Sequence, residues 1–376
     1  MNTTYGVLNN SSLIIDTDKL RENVRTILRS LPAGTKLIPV VKDDAYGMGM
    51  VGVARTLSAF PEIGCFAVAN VSEGVTLRRE GIRQDILIMG STLPFQYAPA
   101  VECDLTVTVS RLGMVPELAE VCKAQSKPLN VQIKLETGMH RIGVEPGEEL
   151  AALIGEFKAA QGWVHVTGAF SHFAWPGNAE VCEAQYKKLL AGVEQLKAAG
   201  IPVPMCHISA SESSELFPQY ALDAVRIGRR LYMDHPKKPL GNIQEVVSWR
   251  SYLTNVKQRH AGDSLAYFGK YVLDKDTVVA TVGVGYGDGL NEKLVACHAP
   301  VLVGGKRCLL LACCMDQCFV DVTGVENAKV GDEITCFGYD SDGNFLSSQE
   351  TANLSGDDEG CGLTSALMHR VARVFH

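Results

Sequence analysis

The chain has 376 residues, 46% of them apolar and 7% aromatic, which suits a globular protein with a sizeable core. At ~150 residues per domain that length predicts two domains. A net charge of −7 argues against a general attraction to nucleic acid or anionic membranes, and no run approaches the ~18 apolar residues that a membrane span needs.

Twelve cysteines include the adjacent pair Cys313 and Cys314, and Cys65, Cys308 and Cys318 sit in apolar, strand-like runs. No Cys-x-x-Cys pair has zinc-ligand spacing, so the thiols read as small, reduced packing residues and no metal is expected. Met1 to Asn10 carries neither a charged nor an apolar signal segment. A reduced, cytoplasmic protein is the expectation.

In chain order, the candidate strands of the first part are Ser12–Ile15, Lys36–Val41, Cys65–Ala69, Asp85–Met89, Leu105–Val109, Val131–Lys134, His165–Phe170, Met205–Ile208 and Ala224–Ile227. Helical stripes lie between several of them. Leu20, Val24, Ile27 and Leu28 form one, and Val181 to Ala199, closed by Gly200, forms another. About eight strand–helix alternations predict a parallel sheet, and eight is the number that closes a (β/α)8, TIM-like barrel. An open doubly wound sheet competes, although no G-x-G-x-x-G turn follows the first strand. From about Pro239 the texture changes. Val246–Asn255, Thr277–Val284, Ala299–Val303, Lys306–Ala312, Cys318–Val322 and Glu333–Phe337 are short runs between Gly, Asp and Asn turns, which predicts a mostly antiparallel β domain. Ser347 to Glu350 has the form of a capping box opening one short helix. The expected domains are 1–238 and 239–376.

Several stretches carry polar residues just past predicted strands. Lys42 ends an apolar strand and precedes a turn containing Tyr46 and Gly47. In a barrel that is where active sites lie, and desolvation there would lower the lysine's pKa and suit it to Schiff-base chemistry. Taken alone, a surface lysine capping a strand is the commoner case. Lys134-Leu-Glu-Thr-Gly-Met-His-Arg141, Ser171-His172-Phe173, His207-Ile-Ser-Ala-Ser211 and Arg226-Ile-Gly228-Arg229 follow in the same manner. Singly, these arginines read as ion-pairing groups and His172 as a packed core residue. Ala266-Tyr267-Phe268-Gly269, Gly285-Tyr286-Gly-Asp288-Gly289, Cys314-Met315-Asp316-Gln317 and Met368-His369-Arg370 mark the second part.

Taken in order, these stretches resemble the alanine racemase family, which joins a (β/α)8 barrel to a C-terminal β domain. The resemblance implies pyridoxal 5'-phosphate as cofactor, held by Lys42, which also serves as one catalytic base. It implies a phosphate cup from Tyr46, Ser211 and the backbone N–H groups of Gly228 and Arg229. Arg141 matches the arginine that meets the substrate and the phenolic oxygen of the cofactor. Lys134 matches a lysine that is carbamylated in some members. His172 matches the histidine packed on the pyridine ring, and Arg226 the arginine facing the pyridine nitrogen. A guanidinium, with a pKa above ~12, only donates, so it holds that nitrogen unprotonated and favours quick reprotonation over transamination.

Tyr267 matches the opposing base. Its ordinary pKa near ~10 must be lowered by positive charge, which the family supplies through the residues matched by His172 and Arg226. The backbone N–H of Met315 matches one that meets the substrate carboxylate. Two positions depart from the family. Phe268 replaces a usual glycine, and His369 replaces a tyrosine that touches the phosphate and lines the substrate pocket. The resemblance further implies a homodimer whose active sites are shared between subunits. The expected activity is racemisation of alanine, in support of D-alanine supply, with serine or another small amino acid as the alternative because of His369. A related decarboxylase would need an acidic partner at the pyridine nitrogen, where Arg226 stands. A non-catalytic cofactor-binding barrel would lack the second domain and its tyrosine.

Overall fold

The computed structural model describes residues 8–160, 162–234, 243–357 and 360–376, so the expected boundary at 238 lies outside the described residues. The chain forms two compact units. One comprises Val24–Ala45 and Met50–Leu231, the other Met1–Asn23, Tyr46–Gly49 and Tyr232–His376.

The first strand of the chain, β1 (Ser11–Ile15), belongs to the second of these units. In the first unit, β2 (Lys36–Pro39), β3 (Cys65–Val68), β4 (Asp85–Ile88), β5 (Thr106–Val109), β6 (Leu129–Lys134), β7 (Val164–Phe170), β8 (Cys206–His207) and β9 (Ala224–Ile227) are all parallel. Strands β3 to β8 are hydrogen-bonded in sequence order and β2 pairs with β9. Single bridges, Val40 to Ala67 and Ala210 to Arg226, join β2 to β3 and β8 to β9. The ring therefore closes, and the open doubly wound alternative falls away. Strands such as β5 are buried along their whole length, which is why the sequence shows continuous apolar runs rather than alternation.

Helices α1 (Thr17–Ser30), α2 (Met50–Leu57), α3 (Val71–Arg79), α4 (Pro94–Glu102), α5 (Met114–Gln125), α6 (Glu148–Ala159), α7 (Ala179–Ala198) and α8 (Ser211–Leu216) alternate with these strands. Their ends follow local chemistry. Asn178 caps α7, its side chain accepting from the Val181 N–H at 3.1 Å, and Gly200 at φ 80° ends it.

The second unit is built on a nine-stranded sheet. Its longest member is β10 (Val247–Arg259), antiparallel to β1, to β11 (Thr277–Val282) and to a later strand over Glu333–Tyr339. The sequence grouped Ser12–Ile15 with the barrel alternation. Here it lies between β10 and the last strand, Ala372–Phe375, the latter pairing being parallel in an otherwise antiparallel sheet. Its burial alternates along its length, the signature of an element with one face in a core. A hairpin of β12 (Lys306–Cys313) and β13 (Cys318–Asp321) carries the turn Cys314 to Gln317, closed by the Cys314 N–H donating to the Gln317 carbonyl at 2.7 Å. Ser347 caps a short helix, Ser348–Leu354, as expected, but Glu350 pairs with Arg307 instead of completing the box. None of the twelve cysteines is disulfide-bonded. Among the described residues no helix is long and apolar enough to cross a membrane.

Candidate active site

Lys42 follows β2 at the C-terminal end of the barrel, and the four residues after it, Asp43 to Tyr46, all take left-handed φ values between 52° and 57°. Such a run in non-glycine residues costs energy and persists only when its surroundings hold it. Glu73, in the first turn of α3, does so. One carboxylate oxygen accepts from the Asp43 N–H at 2.6 Å, while the other accepts from the Ala69 N–H at 2.7 Å. The side chain of Asp44 accepts from the Met50 N–H at 2.8 Å, tying the far end of the turn to α2. Lys42 Nζ lies 3.9 Å from Asp43 and its side chain keeps 38% exposure, so the burial expected of it is only partial. Tyr46 packs against the Tyr232 ring, with centroids 5.8 Å apart.

Further around the ring the strand ends supply a cluster of cations. Arg226 on β9 is buried, with its guanidinium over the Phe170 ring. It donates to the carbonyls of Ser171 (2.8 Å) and Ile208 (3.0 Å), to His172 Nδ1 (3.1 Å) and to His207 Nδ1. Every one of these acceptors is neutral, and among the described residues no carboxylate pairs with Arg226. Burial, followed by the Arg141 charge, pulls its pKa down to about 9. Lys134, at the end of β6, donates to the Leu135 carbonyl and to Ser171 Oγ, and burial with the Arg226 charge lowers its pKa to about 7. Arg141 is exposed at the edge of the same group.

His172 feels all of these charges. Burial first, then Arg226, Arg141, Lys134 and Lys42, pull its pKa down to about 3. It is therefore a neutral imidazole, whereas the resemblance implied a positively charged neighbour for the opposing base. Gln185 on α7 fixes its backbone by donating to the His172 carbonyl at 3.1 Å. Ser211 opens α8 after the seventh barrel strand and its hydroxyl accepts from the Gly228 N–H at 3.3 Å, past the eighth. Loops after the seventh and eighth strands are where barrels of this class bind phosphate. Arg229 is buried beside them.

Tyr267, Met315 and His369 belong to the second unit. Tyr267 and Met315 are 67% and 58% exposed, and Phe268 is 97% exposed. Phe268 takes φ 62°, the backbone region that explains why glycine is usual there. Met315 is held by the loop at 285–289. Tyr286 and Gly287 donate backbone N–H bonds to the Cys314 and Met315 carbonyls at 3.1 and 2.7 Å. A Cβ on Gly285 would meet both carbonyls at 2.4 Å. The buried Asp288 carboxylate accepts from the Gly285 N–H (2.9 Å) and from Arg370 Nε (2.7 Å), so the residue beside His369 is anchored to this loop.

Two residues in the barrel site escaped the sequence reading of roles. His207 stood in a quoted motif without a function, and Gln132 was not singled out. His207 is fully buried, stacked on Phe170 with ring centroids 5.0 Å apart, and paired with Gln132 at 2.7 Å. A glutamine among apolar neighbours on a buried strand was the one available signal.

A closed (β/α)8 barrel that gathers four cations at one end, with hydroxyl and N–H groups after its seventh and eighth strands, defines an enzyme for a small anionic, phosphate-bearing ligand. The chain belongs to the alanine racemase family. The family's N-terminal domain matches residues 15–236 and its C-terminal domain residues 246–375. It is 32% identical over 333 residues to the alanine racemase of Desulforamulus reducens, covering 86% of this chain and 89% of that one. The structure of alanine racemase from Clostridium difficile 630 superposes with TM-score 0.89 at 28% identity, over 98% of this chain and 96% of that chain. An alanine racemase from Bacillus anthracis, solved with bound L-Ala-P, gives 0.89 at 28% identity over 98% and 95%. The family is pyridoxal-phosphate-dependent, and the buried Arg226 with only neutral partners, ringed by further cations, fits that anionic cofactor.

Proposed function

We propose that this chain interconverts L- and D-alanine with pyridoxal phosphate, using Lys42 and Tyr267 as bases on opposite faces of the substrate. The observation that carries this reading is Arg226, a buried donor-only group whose described partners are all neutral. A decarboxylase would place a carboxylate at that position.

When bound, the cofactor supplies the electron sink that makes the substrate's Cα proton acidic. Arg226 would donate a hydrogen bond to the pyridine nitrogen and leave it unprotonated, because a guanidinium does not transfer its proton at neutral pH. That restraint shortens the life of negative charge at Cα and favours return of a proton there. Lys42 Nζ moves the proton on one face and Tyr267 Oη on the other. The neutral ring of His172 would pack against the pyridine. Arg141 and the Met315 N–H bind the substrate carboxylate, as charge-assisted donors do. Ser211 Oγ, the N–H groups of Gly228 and Arg229, and Tyr46 hold the phosphate, with His369 beside it.

Tyr267 and Met315 serve the site of a second copy in a homodimer. Their exposure in the single chain supports that arrangement. The physiological role is supply of D-alanine in the cytoplasm, and cysteines without disulfide bonds accord with a reducing compartment. His369 in place of tyrosine favours serine as a second substrate, since a smaller imidazole leaves room and adds a polar edge.

A panel of L-amino acids, each followed to D-product by chiral chromatography, tests the reading. Alanine should turn over fastest, with serine next, and His369→Tyr should narrow the profile towards alanine. Turnover of neither, in protein that shows the visible absorbance of bound cofactor, would refute the assignment. Lys42→Ala should abolish that absorbance and the activity together.

A further inference from the structure

Arg226 is held by His207, and what holds His207 is a glutamine. An arginine only donates, so His207 Nδ1 must present a lone pair to it. A neutral imidazole then carries its proton on Nε2, and that N–H points at Gln132, 2.7 Å away, which accepts it through Oε1. Gln132 and His207 are 4% and 0% exposed, so water does not substitute for either. The opposite tautomer would set an Nδ1–H against the donors of Arg226 and leave Nε2 without a proton for the glutamine oxygen.

The barrel is shaped around this contact. Pairing of β6 with β7 slips by one residue between Val131 and Gln132, placing Gln132 opposite Gly168. A Cβ on Gly168 would lie 2.6 Å from the Met205 carbonyl and 3.2 Å from Gln132 Cδ. The bulge re-aims the strand and the glycine clears the space that the amide occupies. Phe170, stacked 13° from parallel with the imidazole, fixes the plane of the ring. None of these groups is among the residues assigned above to the cofactor, the substrate or proton transfer.

We propose that Gln132 is a positioning residue that fixes His207 as its Nε2–H tautomer and, through it, aims the Arg226 guanidinium at the pyridine nitrogen. The functional half of this proposal rests on the racemase reading above. The tautomer half does not.

The test is 15N-resolved NMR of the holoenzyme labelled at histidine, with the His207 signals assigned by their loss in His207→Asn. Wild type should show a neutral ring protonated at Nε2 alone across neutral pH. Gln132→Leu, which removes the acceptor, should give a mixture of tautomers. It should also lower kcat on the order of tenfold, the scale of an orphaned buried donor, while leaving KM within about threefold. The fraction of turnovers lost to transamination should rise, since the pyridine nitrogen is less firmly held. Should Gln132→Leu fail to fold, Gln132→Glu is its isosteric replacement and should draw a second proton onto His207, visible as an imidazolium. A wild-type ring protonated at Nδ1 would overturn the proposal, as would a variant with unchanged tautomer and unchanged partition. Absence of racemisation in wild type with the Nε2–H ring intact would refute the activity and leave the tautomer assignment standing.

Discussion

Lys134 is 2% exposed, its ammonium bonded to a carbonyl and a hydroxyl and facing Arg226 and Arg141. Its folded pKa of about 7 lies below the unfolded value of 10.5, so folding releases protons in that interval. Stability attributable to this residue is therefore complete above pH 10.5 and falls as pH drops towards 7. Compared with Lys134→Met by chemical denaturation, wild type should gain up to about 1.4 kcal/mol per pH unit on rising from pH 7. A constant difference would mean that the ammonium is solvated. His172 makes the complementary point. Its neutrality is set first by burial and then by Arg226, Arg141, Lys134 and Lys42, which come from four separate places in the chain, and so it was not legible from its own neighbours in sequence. The motifs placed Lys42, Arg141, His172 and Arg226 at strand ends. The hydrogen bonds of Arg226, and the part played by Gln132 and His207, arise only when β6, β8 and β9 are curled into one ring.

The left-handed turn after Lys42 is an element held from outside by Glu73. Glu73→Gln keeps one acceptor oxygen and loses the other, so one of the backbone N–H groups at Asp43 and Ala69 loses its partner. The variant should be destabilised by about 1–2 kcal/mol and release cofactor faster on dialysis, followed by its visible absorbance. Unchanged retention would show that the turn holds itself. In the second unit, Glu245 accepts from the Ser348 N–H at the start of a short helix, and burial pushes its pKa up to about 7 from 4.5. A raised carboxyl pKa stabilises below pH 4.5 and ceases to do so as pH rises through 7. Glu245→Gln should therefore gain on wild type by up to about 3 kcal/mol over that interval, measured by denaturation at each end. At this scale the sequence was most informative. Barrel strands buried on both faces announce themselves as apolar runs, and caps such as Asn178 and Ser347 mark helix starts. The apolar run at Leu13, Ile14 and Ile15 marked β1 as a strand. It held no information on which sheet it joins, because its partners, β10 and Ala372–Phe375, lie more than 200 residues away.

At the scale of the whole molecule, one chain exposes Tyr267, Phe268 and Met315 together with Val272 and Tyr286, large apolar groups on the unit that carries the proposed second base. The proposed homodimer, with sites shared between two copies, would cover these groups. If the sites are shared, mixing Lys42→Ala with Tyr267→Phe, each inactive alone, should restore activity as subunits exchange. Half of the random dimers are then mixed and each has one intact site of two, so recovery should approach about a quarter of wild type. No recovery, despite exchange seen by mass spectrometry, would place both bases in one subunit. The central claim is that Lys42 and Tyr267 act on opposite faces of the same carbon, and isotope exchange reads this most directly. L-alanine and D-alanine are each incubated in heavy water, and deuterium at Cα of the recovered starting enantiomer is followed by NMR. Tyr267→Phe is predicted to slow exchange of one enantiomer at least tenfold more than that of the other, and equal slowing of both would contradict the account.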